Sequence, residues 1–376
     1  MARARVKRDA PGKPKRELDT VFGEIRKRYG DKSVSRASEV YQTSRISTGS
    51  FMLDFCTLGG IPISRGSMFI GDKHAGKTTM ACKVIANTQR QYPDQTAVII
   101  DVEGTFDTTW ASQLGVDVDQ LYIAHADTGE MAVDMADAIV SSRETSLVVV
   151  DSLAQLLPTK EAESSAEDAH IGLQARLIGG MVRKLTSAIV RERMRDHLVT
   201  TLFLNQFRTK IGGWSPTGDP RTMPGGRSME HFMALLVHLK NKENKGKDAA
   251  GIDTITENEH PFTITKNKGN AGPRSGAFIL ARADSNAWGL EVGEIENATT
   301  ILSYAKKFGL YTGGGKSWKI EFPGHSYKVA NADQAVAMLM GDREVMMALW
   351  VYLIQLQAAN VRMDADFIAR IPSFYE

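Results

Sequence analysis

Gly71-Asp72-Lys73-His74-Ala75-Gly76-Lys77-Thr78 is the stretch on which the fold turns. It fits G-x-x-x-x-G-K-[ST], a pattern whose parts each serve phosphate binding. Glycines let the backbone wrap an anion with its N–H groups. A following helix points its positive end at the same anion. Lys77 would reach the β- and γ-phosphates, and Thr78 would offer its hydroxyl to Mg²⁺. Thr79 follows directly and joins the nucleotide-binding set with the eight loop residues. The context agrees: an apolar strand runs into the loop and a helical pattern leaves it.

Outward from the loop, short apolar runs alternate with helical stretches from residue 46 to about 280. Strands are expected at 66–71, 96–102, 120–124, 146–151, 199–205, 235–240, 261–266 and 277–281. The runs at 98–100 and 147–150 are continuously aliphatic, which marks strands buried on both faces. Helical patterns lie at 77–91, 129–142 and 171–194. That alternation predicts an α/β fold with a mostly parallel central sheet.

Two runs end in a carboxylate, Val98-Ile99-Ile100-Asp101 and Leu147-Val148-Val149-Val150-Asp151. A metal-binding acid belongs at such a place, and pattern alone does not choose between them. Glu103 follows Asp101 by two, so the two would share a strand face. Beyond a strand end, Glu103 could act as general base on water or be an ordinary surface acid. Leu202-Phe203-Leu204-Asn205-Gln206 ends a further strand with two amides, where open α/β sheets place ligand contacts. Gln206 could read a γ-phosphate there. Lys266 and Lys268 stand two apart and project to one side. That suits either cradling an anion, including one held by another subunit, or blocking edge aggregation.

Two long polar segments, 159–171 and 208–226, follow central strands. The second mixes Arg208, Lys210, Arg221 and Arg227 with Trp214 and paired glycines, a composition suited to single-stranded nucleic acid.

Outside this core, residues 1–16 carry seven Lys and Arg around Pro11, Gly12 and Pro14. This is a basic arm, either merely solvated or in contact with nucleic acid phosphates. Leu18, Val21, Phe22 and Ile25 then make one apolar stripe on a helix over 17–29. The stripe could dock on its own domain or on a neighbouring copy. The division expected is 1–44 for tail, helix and linker, 45–284 for the core, and 285–376 for a small α+β domain. Helical patches at 295–307, 332–340 and 343–358 belong to the last part, with Met338, Met340, Met346 and Met347 read as core.

Composition sets limits around these motifs. With 376 residues and 42% hydrophobic content, a sizeable core can be buried. A net charge of +2 leaves partners to be argued from local clusters. Cys56 and Cys82 have no companions, which fits reduced thiols in a cytoplasmic protein. No secretory signal is apparent, and the apolar run 345–356 is too short to span a bilayer.

These residues together resemble the RecA-type recombinases from about residue 21 to 281, with a weaker echo to about 345. Ile46-Ser47-Thr48-Gly49-Ser50 with Leu53-Asp54 precedes the phosphate loop as in that family. Ile100-Asp101-Val102-Glu103 resembles the segment with the catalytic glutamate, and Asp127-Thr128-Gly129-Glu130 matches a family signature. Val150-Asp151-Ser152 resembles the metal-side strand, so the resemblance favours Asp151 as the metal acid. Leu204-Asn205-Gln206-Phe207-Arg208 resembles the link between nucleotide and DNA loop, and Lys266-Asn267-Lys268 the pair that reaches a neighbour's ATP.

By the same resemblance, Asp107 and Trp110 lie near the adenine, Trp110 standing where the family usually has tyrosine. Arg176 and Arg183 face DNA, and Ile171 and Ile211 wedge between bases. The segments 159–171 and 208–226, with Arg208, Lys210, Gly212, Gly225 and Gly226, match the DNA-binding loops. The helix at 17–29 resembles the arm that packs on the adjacent subunit.

The resemblance implies ATP and Mg²⁺ as cofactors and a helical filament of this chain on single-stranded DNA. It implies DNA-stimulated hydrolysis and strand exchange with a homologous duplex; loading or mediator proteins are compatible with it. A hexameric helicase or motor on the same fold, and a regulator that binds without hydrolysing, are the alternatives.

The chain also departs from the family. His231 replaces a phenylalanine that couples neighbouring ATP sites, and Arg227 replaces an asparagine. His74 and Ala75 replace residues that are usually Ser or Thr, and the end Ile371-Pro372-Ser373-Phe374-Tyr375-Glu376 is not an acidic tail. Such divergence suits a bacteriophage homologue.

Overall fold

The computed structural model describes residues 15–35, 44–164, 172–209, 221–247, 250–269 and 272–375. Ile171, Lys210, Ile211 and Gly212, the tail through residue 14 and the linker 36–43 lie outside the described residues.

A ten-stranded sheet organises the core. Its strands are β1 (Gly66–Ile70), β2 (Thr96–Asp101), β3 (Leu121–His125), β4 (Thr145–Asp151), β5 (Thr200–Asn205), β6 (Leu235–Leu239), β7 (Lys242–Lys247), β8 (Asp253–Asn267), β9 (Ser275–Ala281) and β10 (Ile295–Glu296). The order is β10-β9-β8-β6-β1-β5-β4-β2-β3, with β7 paired to β8. From β6 to β3 the pairings are parallel. β8, β9 and β10 add antiparallel strands on the far side. The aliphatic runs of β2 and β4 lie in register, Val98 to Ile100 beside Val148 to Val150. Both strands are buried on both faces, as their composition predicts.

Helices cover both faces. α3 (Lys77–Gln91) and α4 (Thr108–Gln113) contribute to one layer; α5 (Gly129–Ser141) and α6 (Leu173–Met194) pack on the other. The expected strands and helices of the core appear with small shifts at their ends. β8 is longer than expected because its first half pairs with β7, a strand of sequence KENKGK that shows no apolar alternation.

The family motif at 46–54 has a clear physical role. Ser50 caps the short helix α2 (Phe51–Thr57), accepting from Leu53 N at 3.4 Å. The buried carboxylate of Asp54 accepts from Ser47 Oγ at 2.6 Å, Thr48 N at 2.9 Å and Thr48 Oγ1 at 2.6 Å. Tyr375 Oη adds a fourth contact at 3.3 Å, tying the end of the chain to this corner. Burial pushes the Asp54 pKa up to about 6, against the pull of those hydrogen bonds.

A second core gathers around α8 (Ala298–Lys307), α9 (Ala332–Gly341), α10 (Arg343–Asn360) and α11 (Ala365–Arg370). It includes a three-stranded antiparallel sheet, β11 (Tyr311–Gly314), β12 (Ser317–Phe322) and β13 (His325–Val329). Phe51 and Phe55 of α2 are buried in this cluster, with Phe55 and Tyr304 ring centroids 4.5 Å apart. Burying two such rings contributes about 3–6 kcal/mol. Met338, Met346 and Met347 pack against this core, whereas Met340 remains more exposed.

The stripe of α1 (Lys15–Tyr29) is only partly covered: Leu18 is 56% and Val21 47% exposed, whereas Phe22 and Ile25 are half-buried. Among the described residues, no helix is long and apolar enough to cross a membrane.

Candidate functional site

The phosphate loop runs from the end of β1 to the start of α3, at the carboxyl edge of the parallel strands. It rests on the neighbouring strand ends. A Cβ on Gly71 would stand 2.4 Å from the Leu239 carbonyl oxygen, so only glycine fits there. Gly76 takes φ 85°, the left-handed conformation that glycine adopts freely, and α3 begins at the next residue. Lys77 is buried, and its Nζ donates to the carbonyls of Gly71 at 3.2 Å and Asp72 at 2.8 Å. Burial lowers the Lys77 pKa, while Asp151, Glu103 and Asp72 oppose that shift.

The two candidate metal acids separate by what they bind. Asp101 is a turn-former: its carboxylate accepts from the backbone N–H of Glu103, Gly104 and Phe106 at 2.9–3.1 Å. Asp151 instead accepts from Thr78 Oγ1 at 2.8 Å, at the mouth of the phosphate loop. Burial pushes the Asp151 pKa up to about 6, and Glu103 and Asp101 add to it. A hydroxyl and a carboxylate in a pocket of excess negative charge fit Mg²⁺, which prefers oxygen and completes its shell with water and phosphate. Among the described residues, no group of three or more His, Cys, Asp or Glu side chains forms a metal cage.

β2 ends at Asp101, so Glu103 lies in the following turn rather than on the strand face expected for it. That turn carries it to two partners. Its Oε1 accepts from Ser152 Oγ at 2.5 Å and from Gln206 Nε2 at 3.1 Å. Glu103, Asp151 and Gln206 thus come from the ends of three adjacent parallel strands, β2, β4 and β5. Ser152 is fully buried, and its contact with Glu103 has no counterpart in the sequence reading. Its position next to Asp151 was the available signal.

Trp110 is half-buried, beside the start of α3. Its Nε1 donates to Thr79 Oγ1 at 3.3 Å, and the Arg282 guanidinium lies 4.5 Å over its ring. Asp107 caps α4, accepting from Trp110 N at 3.0 Å.

Both candidate DNA loops are anchored near this site. Thr159 donates from its N and its Oγ1 to Glu130, each at 2.8 Å. Residues 159–162 form a short helix rather than open loop. At the second loop, Arg208 pairs with Thr222 across a two-residue ribbon. Arg208 also donates to the Ala154 carbonyl and to Gln174. Asn205, next to Gln206, donates to the Pro224 carbonyl at 3.1 Å. Gly225 packs on Ile178 and caps α7 (Gly226–Phe232). Arg176 and Arg183 are exposed on α6, seven residues apart and so on one side.

Lys266 is the last residue but one of β8 and Lys268 lies just past it. Both ammonium groups donate to the last carbonyls of α7, Lys266 to Glu230 and Lys268 to His231 at 3.1 Å. Cations at a helix C-terminus are favourably placed. Lysines and phosphate loop therefore do not converge within one chain.

Comparison with known proteins agrees with this geometry. The family model described as the RecA N-terminal domain matches residues 16–279. Protein RecA of Rubrobacter xylanophilus is 37% identical over 254 residues, covering 67% of this chain and 70% of that protein. Protein RecA of Oceanobacillus iheyensis is 36% identical over 259 residues, 68% of this chain and 70% of the relative. Protein RecA of Bacillus licheniformis is 35% identical over 299 residues, 78% and 81% of the two chains. With its phosphate loop, parallel sheet and strand-end acids in place, the chain belongs to the RecA family.

Proposed function

We propose that this protein is an ATP-dependent DNA recombinase that assembles as a helical filament on single-stranded DNA and promotes pairing and strand exchange with a homologous duplex. The observation that carries this reading is the hydrogen bond of Gln206 to Glu103, one residue from the Asn205 side chain that holds the far end of the 208–226 loop. A change at the nucleotide would thereby be felt where DNA would bind.

In this reading the loop from Gly71 to Thr79 binds the phosphates of ATP, and Asp107 and Trp110 border the adenine. Thr78 and Asp151 would hold Mg²⁺, which would supply charge neutralisation at the nucleotide's phosphates. Glu103 accepts a proton from the attacking water, and Ser152 and Gln206 hold that carboxylate in place. Gln206 passes the nucleotide state to the loop 208–226, an order–disorder switch. Arg176, Arg183 and Arg208 contact the phosphate backbone, with Lys210, Ile211, Gly212 and Ile171 completing the DNA surface.

Lys266 and Lys268 would act on a neighbour's nucleotide, after release from the α7 carbonyls. The arm 1–44 would join copies through the partly exposed stripe of α1, the core 45–284 would carry the chemistry, and 285–376 would form the small C-terminal domain. The arm and linker before residue 46 and the lysine pair at 266 and 268 favour a filament over a closed helicase ring.

The test is hydrolysis with and without single-stranded DNA, beside imaging. Stimulation of at least tenfold with helical filaments is expected; intact nucleotide binding without stimulation would refute the recombinase reading. Lys77→Ala should abolish both hydrolysis and strand exchange.

A further inference from the structure

The phosphate loop has a support that its sequence pattern does not contain. His260 of β8 is 1% exposed and lies directly beneath Gly76. A Cβ on Gly76 would meet its ring at 2.6 Å from Cε1 and 2.8 Å from Nδ1. The ring is fixed from two other sides. It stacks on Phe278, its register partner on β9, with centroids 5.0 Å apart and planes at 29°. Its Nδ1 lies 3.1 Å from the Lys240 carbonyl oxygen. A carbonyl only accepts, so Nδ1 carries the hydrogen. Burial pushes the imidazole pKa down and Arg282 adds to this, while the backbone at Lys240 and Ala75 opposes it.

We infer that His260 is a positioning residue for nucleotide binding: its clamped ring is the floor that sets the height and tilt of the phosphate loop at Gly76. This rests on the reading of 71–79 as the nucleotide site. The physical argument is one of rigidity. A loop that binds phosphate through backbone N–H groups needs those groups held to a fraction of an ångström. Gly76 has no side chain with which to anchor itself, so the rigidity must come from what it touches. Leu239 does this for Gly71 through a backbone carbonyl. At Gly76 the supporting atoms belong to a side chain, which makes the support open to substitution.

Two features of the ring can be separated. His260→Phe keeps an aromatic floor stacked on Phe278 but removes the bond to Lys240. His260→Asn keeps a donor at the Nδ1 position but removes the floor, and His260→Ala removes both.

The experiment is titration of each full-length variant with a fluorescent ADP analogue and Mg²⁺, with circular dichroism to confirm folding and steady-state hydrolysis alongside. The ring-floor role predicts Kd raised about tenfold in His260→Asn and His260→Ala, and less than about threefold in His260→Phe. KM should rise by a larger factor than kcat falls, because Glu103, Asp151 and Gln206 at the ends of β2, β4 and β5 are untouched, whereas Lys77 and Thr78 move with the loop. Equal affinity of folded His260→Asn and the unaltered protein would overturn the inference. So would His260→Phe binding as weakly as His260→Asn, a comparison that stands even if His260→Ala does not fold. Failure of the unaltered protein to bind the analogue would instead overturn the nucleotide-site reading itself.

Discussion

Gln206 donates from Nε2 to Oε1 of Glu103 across 3.1 Å, joining the ends of β5 and β2 over the intervening strand β4. The same carboxylate oxygen accepts from the buried Ser152 hydroxyl at the end of β4. Three neighbouring strands therefore meet on one oxygen, beside the Thr78–Asp151 pair.

Glu103→Gln removes the proposed proton acceptor and keeps the shape. Hydrolysis should fall about a hundredfold to ten-thousandfold, the usual range for loss of a general base. Binding of a fluorescent ADP analogue should change less than about threefold. Unchanged turnover would move the base elsewhere.

Ser152→Ala leaves Glu103 with Gln206 as its hydrogen-bond donor. The expected outcome is a reduction in kcat of about tenfold, corresponding to one charge-assisted hydrogen bond of about 1.4 kcal/mol. In the doubly substituted Glu103→Gln, Ser152→Ala protein the serine change should cost little more. Full additivity would show that Ser152 acts independently of Glu103.

The lysine pair can be tested by mixing subunits. Lys77→Ala has a damaged loop and intact lysines; the double substitution Lys266→Ala, Lys268→Ala has the reverse. Each alone should hydrolyse ATP at least about tenfold more slowly on single-stranded DNA, if each charge–phosphate contact contributes 1.4 kcal/mol or more. Mixed, they should recover part of the lost rate, since one subunit's lysines would complete the other's loop. No recovery across all mixing ratios would refute a shared site.

Asp54 predicts a pH dependence of stability. Its folded pKa is raised from 3.8 to about 6, chiefly by burial. Between those values the folded state binds more protons than the unfolded state, so this group's contribution becomes more favourable as pH falls from about 6 towards 4. Above about pH 6 the buried charge is a full penalty. Urea melts of the unaltered protein and Asp54→Asn should therefore diverge in favour of the unaltered protein as pH is lowered from 7 to 4. A constant difference would contradict the raised pKa.

Much of the architecture was legible in local pattern. The loop 71–78, the aliphatic runs of β2 and β4, and the helices that follow them announce an α/β sheet, because burial on both faces demands uninterrupted apolar strands. β7 was not legible, since its partner is chosen by backbone pairing and its side chains are polar. α2 was not legible either: it is short and buried all round, so it shows no helical stripe. β12 did carry a signal, in the alternation of Trp318, Ile320 and Phe322.

Residue types and spacing, unaided, point to phosphate binding at 71–78 and narrow the proposed metal acid to Asp101 or Asp151. Long-range packing favours Asp151, because identical strand-end carboxylates differ only in what lies opposite: backbone amides for Asp101, the Thr78 hydroxyl for Asp151. It also brings Ser152 and Gln206 to Glu103, and His260 to Gly76 from 184 positions further along the chain. Apart from the place of Ser152 beside Asp151, such contacts leave no local trace. They arise from the order in which strands are laid side by side, a property of the sheet as a whole.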